Sequence, residues 1–268
     1  MTAPSGNGLR RRLLAGETVT AAWLELDSAE VAEIMVRWGW DVLVIDCEHG
    51  AAGLERGLDL VRAVEAAGGE AMVRVPDGRE ATLKRALDRG ARSILVPMVN
   101  SAARAREIAA FCRYPPAGRR GYAAPIVRAS GYGTWQDYAA RANEDVFVSV
   151  QIEHVDAIPE LAEIAATPGI DMAFVGPNDL AGSMNLTGQP DAAEVRATIA
   201  GIEATAKQHG LRLGTVEGAR DYAELMADGY SFIIGPNDVI LLSSASHAEA
   251  ERRDRVLKRA ARPDSAVS

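Results

Sequence analysis

Two short stretches carry residues suited to chemistry at a telling spacing. Gln151-Ile152-Glu153 closes one apolar run, and Gly176-Pro177-Asn178-Asp179 closes the next. Carboxylates placed after consecutive parallel strands sit side by side, so Glu153 and Asp179 could share one divalent cation. Oxygen ligands completed by water suit magnesium or manganese, whereas zinc would recruit His or Cys. The bland alternative is that both acids only cap the helices that follow. Gly-Pro-Asn-Asp before an apolar helical start favours the chemical reading, because the backbone N–H groups of Asn178 and Asp179 could hold a substrate carboxylate there. A near copy, Gly235-Pro236-Asn237-Asp238, follows the last apolar run. The tetrapeptide alone is therefore a weak signal, and its second copy reads as a turn and cap.

Two further strand ends add to the set. Asp46-Cys47-Glu48-His49 closes an early apolar run, and Arg74 closes the one after it. A guanidinium near a polarised carbonyl would stabilise negative charge on its oxygen, while its structural role would be an ion pair with Asp46 or Glu48. The two roles are compatible. His49 stands close behind Asp46, so the acid could orient the ring as a proton acceptor working near neutral pH. Cys47 has no partner at a recognisable spacing for a nucleophile and reads as a small packing residue. Neither Lys84 nor Lys207 falls in an apolar run, so no Schiff-base lysine is expected.

The elements that would position these residues alternate along the chain. Strands are expected at 20–24, 42–46, 71–75, 93–97, 147–152, 172–175, 213–216 and 232–234. Helices are expected near 28–38, 54–67, 79–89, 101–112, 155–166, 192–208, 218–228 and 238–260. Ser28 and Ser101 read as N-caps, and Gly39, Gly68, Gly90, Gly210 and Gly229 as C-terminal stops. Runs apolar on both faces imply a sheet covered by helices, and eight repeats in a chain of 268 residues imply a closed (β/α)8 barrel. No GxGxxG follows the first strand, which argues against a dinucleotide fold. The stretch Tyr114 to Asp145 is long for a connection and reads as a functional cover or as an excursion that packs on a neighbouring subunit.

Composition narrows the partners. The formal net charge of -8 and the lack of a dense basic block argue against nucleic acid. Only Cys47 and Cys112 are present, which suggests no disulfide framework and a reducing, cytoplasmic setting. No secretory signal or membrane-spanning run is recognisable. One domain over residues 1–268 is expected, with 1–11 and 263–268 flexible.

Several motifs in order resemble one family. Asp-Cys-Glu-His at 46–49, Val-Arg-Val-Pro at 73–76, Leu-Asp-Arg-Gly-Ala at 87–91 and Val-Pro-Met-Val at 96–99 are joined by Tyr-Pro-Pro-Ala-Gly-Arg-Arg-Gly at 114–121, Gln-Ile-Glu at 151–153 and Val-Gly-Pro-Asn-Asp-Leu at 175–180. The set resembles the HpcH/HpaI family of metal-dependent class II pyruvate aldolases. The resemblance implies a TIM barrel of the phosphoenolpyruvate/pyruvate superfamily that reversibly cleaves 4-hydroxy-2-oxo acids to pyruvate or hydroxypyruvate and an aldehyde. It implies Glu153 and Asp179 as ligands of Mg2+ or Mn2+, with Co2+ as a further option. Gln151, Gly176, Pro177, Asn178 and Asp179 would form the keto-acid clamp, His49 the proton acceptor, and Arg74 the stabiliser of the enolate and the departing alkoxide. Asp88 matches the acid that raises the histidine's basicity across a subunit boundary, a role that reading the residues alone gave to Asp46. A homo-oligomer, hexamer or trimer, is implied, in which relatives often exchange the C-terminal helix; the apolar start at 239–242 is compatible with that.

Three positions depart from the common pattern. Cys47 stands where glycine is usual, Gly50-Ala51-Ala52 replaces an Ala-Pro stretch, and Asn178 replaces a frequent alanine. They bear on aldehyde preference. The alternatives are a CoA-thioester lyase of the citrate-lyase-beta or malyl-CoA type, for which no basic adenine cradle is visible, and a non-catalytic keto-acid-binding barrel.

Overall fold

A computed structural model describes residues 6–260. Eight strands, β1 (Val19–Leu24), β2 (Val42–Asp46), β3 (Glu70–Arg74), β4 (Ser93–Val96), β5 (Phe147–Ile152), β6 (Met172–Val175), β7 (Arg212–Val216) and β8 (Tyr230–Asn237), pair in sequence order. Every pairing is parallel, and β8 returns to β1, so the barrel is closed. Each strand matches its sequence expectation to within a few residues. Closure leaves no sheet edge unpaired.

Alternation along the strands divides the core in two. Val19, Ala21 and Trp23 of β1, Val42 and Val44 of β2, and Phe147, Met172, Phe174 and Phe232 from later strands fill the barrel interior. The intervening residues, such as Leu43, Ile45, Val73, Val148 and Val150, meet the surrounding helices. The same parity carries Asp46, Arg74 and Gln151 inward at the carboxyl ends, two positions beyond Val44, Met72 and Ser149. Burial thus sets the register, and the register aims the polar residues.

Helix Gly8–Leu14 shuts the amino-terminal mouth of the barrel. Leu9 and Leu13 join the interior cluster, and the Asn7 side chain caps the helix while donating to the Arg92 carbonyl and the Ser93 hydroxyl. Residues 7–11 of the stretch expected to be flexible contribute this cap and helix; residues 1–5, and the expected flexible tail 263–268, lie outside the described residues. Ser28 and Ser101 cap their helices as expected, each accepting from the backbone three residues on. Gly68 takes φ 98°, the left-handed turn that ends helix Leu54–Ala67.

Two expected helices start late. Residues 155–160 form a 3-10 run containing Pro159, which has no N–H to donate, and the α-helix covers only Leu161–Ala165. Residues 218–221 make a turn closed by a capping box between Asp221 and Glu224, and the helix is Tyr222–Ala227.

The excursion from Tyr114 to Asp145 makes its contacts away from the carboxyl-terminal mouth. Arg128 reaches Glu65 and the Arg89 carbonyl, Arg120 reaches Asp88, and the Asp145 carbonyl accepts from Asn7 at the opposite mouth. It packs on the outer helices instead, leaving Tyr122, Ile126 and Tyr132 exposed. Helix Asp238–Ala260 touches β8 and β1 near its start, and Val239, Ile240, Leu241 and Leu242 are exposed there. Among the described residues, no helix is long and apolar enough to cross a membrane.

Candidate active site

The carboxyl-terminal mouth holds one ion-pair cluster and one carboxylate pair. In the first, Asp46 is fully buried at the end of β2 and grips Arg74 of the adjacent β3, accepting from Nε at 2.8 Å and Nη2 at 2.5 Å. Its Oδ1 also accepts from the backbone N–H groups of Glu48 at 3.0 Å and His49 at 3.3 Å. These contacts hold the Asp46 carboxyl below its ordinary range, against burial that pushes the other way. Arg74 lies over the Trp23 ring, 4.4 Å from its centroid, and its Nη1 is 3.4 Å from Glu48. Three sides of the guanidinium are thus fixed, and Nη1 remains at the mouth.

The second group comes from β5 and β6. Glu153 is 3% exposed, with Oε1 accepting from the Met98 N–H at 2.8 Å and Oε2 from Gln151 Nε2 at 2.5 Å. Burial chiefly, then the negative charges of Asp179 and Glu48, push its carboxyl up to about 7 despite the Met98 and Gln151 bonds. A buried acid facing two other acids lacks a counter-charge, which is the environment a cation would satisfy. Gly176 leaves the necessary space, since a Cβ there would stand 2.7 Å from Glu153 Oε2. Asp179 is exposed in the first turn of helix Pro177–Ser183, where the N–H groups of Asn178 and Asp179 have no intrahelical acceptor. Among the described residues no three His, Cys, Asp or Glu side chains form a ready-made metal cage. A cation held here would need ligands beyond Glu153 and Asp179. The Oε1 of Gln151, buried without a partner, points to the same incompleteness.

The remaining expected residues fall in different places. His49 is at the mouth, its ring 67% exposed, and its Nε2 is 3.8 Å from Glu48. Asp46 does not orient that ring: its hydrogen bond goes to the His49 backbone, because Arg74 occupies the carboxyl. This corrects the orienting role read for Asp46. Asp88 lies at the end of helix Glu80–Asp88, where Arg120 holds it at 2.7 Å, and no contact with His49 occurs within the chain. Cys47 is buried against helix Leu54–Ala67, where a Cβ on Gly57 would stand 2.2 Å from its sulfur, and burial lifts its thiol to about 12. It is a packing residue. Lys84 and Lys207 lie on outer helices.

Glu25 escaped the reading of the sequence, and Asp238 was read only as part of a turn and cap. Glu25 follows β1 directly, and the β1–β2 register places it beside Asp46. The run Trp-Leu-Glu already placed an acid at a strand end, a signal that was available. Asp238, buried beyond β8, accepts from the N–H groups of Glu25 and Leu26 at 3.0 Å each. The second Gly-Pro-Asn-Asp is not the turn expected: its first three residues end β8, Asn237 caps the last helix by accepting from the Ile240 N–H, and Asp238 clamps the loop after β1.

Comparison with known proteins points to one family along most of the chain. The family model described as HpcH/HpaI aldolase/citrate lyase matches residues 20–245. A hydroxypyruvate/pyruvate aldolase of Agrobacterium fabrum is 39% identical over 256 residues, covering 94% of this chain and 95% of that protein. A 4-hydroxy-2-oxo-heptane-1,7-dioate aldolase of Escherichia coli is 35% identical over 250 residues, covering 92% and 94%. The crystal structure of an HpcH/HpaI aldolase/citrate lyase family protein from Burkholderia cenocepacia superposes with a TM-score of 0.86 at 36% identity, covering 92% of this chain and 99% of that one.

Proposed function

The chain belongs to the HpcH/HpaI aldolase/citrate lyase family, and from that membership and the geometry of the barrel mouth we infer how it works. It is a carbon–carbon lyase of the pyruvate aldolase class, cleaving a 4-hydroxy-2-oxo acid to pyruvate or hydroxypyruvate and an aldehyde. The observation that carries the site assignment is the pair Glu153 and Asp179 on consecutive β/α units, with the buried Glu153 short of positive charge.

Glu153 and Asp179 hold a divalent cation, Mg2+ or Mn2+, with Co2+ as a further option. When bound, that cation supplies positive charge next to the 2-oxo acid and favours its enolate form. Gln151 positions Glu153 by donating to Oε2 and keeps its own Oε1 for the site. Gly176 and Pro177 set the start of the helix, so that the N–H groups of Asn178 and Asp179 meet the substrate carboxylate. Arg74 spends Nε and Nη2 on Asp46, and offers Nη1 to the negative charge that develops on oxygen. His49, exposed at the mouth, takes the C4 hydroxyl proton and later returns a proton to C3.

Asp46 serves as the anchor of Arg74. Asp88 acts on His49 of another subunit in this reading, which is supported by the family pattern and by the distance of Asp88 from the mouth of its own chain. The protein works as a homo-oligomer, a hexamer or trimer, in the cytoplasm. Exposed apolar residues on the excursion and along 239–242 support the association, and exchange of the C-terminal helix would cover the latter.

The test is exchange of the pyruvate C3 protons into deuterated water, followed by mass spectrometry, with metal-stripped protein and again after adding Mg2+ or Mn2+. Metal-dependent exchange abolished by Glu153→Ala supports the reading. No exchange with pyruvate or hydroxypyruvate under any metal removes it and favours thioester cleavage or silent binding.

A further inference from the structure

The loop after β1 places a carboxyl group where the reaction as described assigns none. β1 sends Val19, Ala21 and Trp23 into the barrel, and the next residue of that parity is Glu25. Its main chain is pinned from two sides: the N–H donates to Asp238 at 3.0 Å, and the carbonyl accepts from the Ala51 N–H at 2.8 Å. The register that pairs Leu24 with Ile45 brings Glu25 beside Asp46, and its half-buried carboxyl faces the Asp46 carboxyl.

Two carboxyl groups set side by side form a hydrogen bond only when one of them carries a proton, since neither carboxylate can donate. Asp46 keeps the negative charge, because Arg74 Nε and Nη2 and two backbone N–H groups all converge on it. The proton therefore resides on Glu25. We propose that Glu25 is a positioning residue for Arg74, locking Asp46 through a hydrogen bond donated by its carboxylic acid.

The surroundings agree. Burial, followed by Asp46, raises the Glu25 carboxyl to about 7, with Asp238 adding to the rise and Arg74 opposing it. The other charged groups nearby are Glu48 and His49 beyond Asp46, and Asp27, which is held by Arg56 of helix Leu54–Ala67. Ionised Glu25 would add a third carboxylate to the two already on Arg74, repelling Asp46 and competing for the guanidinium. The sign follows: the neutral, positioning form is present at low pH and is lost as pH rises through the raised value.

This inference rests on the reading of Arg74 as the stabiliser of substrate charge. Its test compares wild type, Glu25→Gln and Glu25→Ala in metal-loaded C3 exchange of pyruvate, from about pH 5.5 to 8.5 around the displaced titration. Wild-type exchange is expected to lose Arg74 positioning above neutral pH. Glu25→Gln, which still donates to Asp46 but cannot ionise, should lose that alkaline decline. Glu25→Ala, with no donor, should fall about tenfold at the acid end, and further than Glu25→Gln. A merely structural role would lower all rates without flattening the profile of the glutamine variant.

The second readout needs no activity. In metal-free protein with 13C-labelled glutamate carboxyls, Glu153 and Glu25 should both titrate near neutrality, and the Glu25 signal is the one that vanishes in Glu25→Gln. A Glu25 signal titrating in the ordinary carboxylate range, or a glutamine variant with the wild-type pH profile, overturns the proposal. If the wild type exchanges nothing at all, the aldolase mechanism fails, and the carboxyl titration still decides the Glu25–Asp46 pair.

Discussion

Replacing Arg74 by alanine should damage rate and stability through separate contacts. On the rate side, the lost group is the one whose Nη1 faces the mouth beside Glu48, and removal of a comparable oxyanion donor costs about 2.7 to 4 kcal/mol, or about 100- to 1,000-fold. On the stability side, Asp46 is fully buried and would keep only two backbone N–H partners and Glu25. Breaking a buried pair by removing one partner costs about 3 to 5 kcal/mol, and the surviving hydrogen bonds place this case near about 3. Part of that cost disappears if Asp46 picks up a proton, so the loss should shrink as pH falls. The assays are C3 exchange for rate and urea unfolding for stability. Adding Asp46→Asn to Arg74→Ala should recover part of the stability, because no buried charge is then left unpaired, but none of the rate. A folded Arg74→Ala protein that exchanges within about threefold of wild type would refute the role of Nη1. A double variant whose loss is the sum of the two singles would refute the buried pair.

Further outcomes follow from other contacts. Glu153→Gln removes a charge from the carboxylate pair and should weaken Mn2+ binding by about tenfold or more in calorimetry, with little change in the circular dichroism of the fold. Gly57→Ala places a Cβ 2.2 Å from the Cys47 sulfur and should destabilise the protein by about 1 to 3 kcal/mol in urea unfolding; Cys47→Gly in the same chain should recover most of it. The Cys47 thiol, raised to about 12 by burial, is neutral at pH 8, so iodoacetamide should label it only after unfolding. Leu241→Glu together with Leu242→Glu should lower the native mass measured by light scattering, because a carboxylate does not tolerate a buried apolar interface.

The order and number of the strands were legible because runs apolar on both faces can only be barrel or sheet cores covered by helices. The strand ends were legible for the same reason: a polar residue following such a run must either reach the mouth or be paired. That reasoning placed Asp46, Arg74, Gln151 and Glu153 in one pocket from residues far apart along the chain. It failed for helix 155–166, where Pro159 and the local turn outweighed the apolar spacing. It left the segment from Tyr114 to Asp145 between two readings, because a loop's composition does not say which end of the barrel it approaches.

Patterning along the chain is enough to specify the closed barrel, the parity that aims alternate residues inward, and the residue types at its mouth. Local patterning carries these, since alternation and burial act within one element. Only the tertiary structure decided who pairs with whom. Arg74 takes Asp46 from His49 because β3 lies beside β2 in register, Asp46 opposite Arg74. Glu25 meets Asp46 because β1 is the other neighbour of β2, and Asp238 pins that loop because β8 closes onto β1. Asp88 is taken by Arg120 from the long excursion, 32 residues away in the chain. Hydrogen bonds and buried charges depend on distances of a few ångströms between elements, and those distances exist only once the barrel has closed.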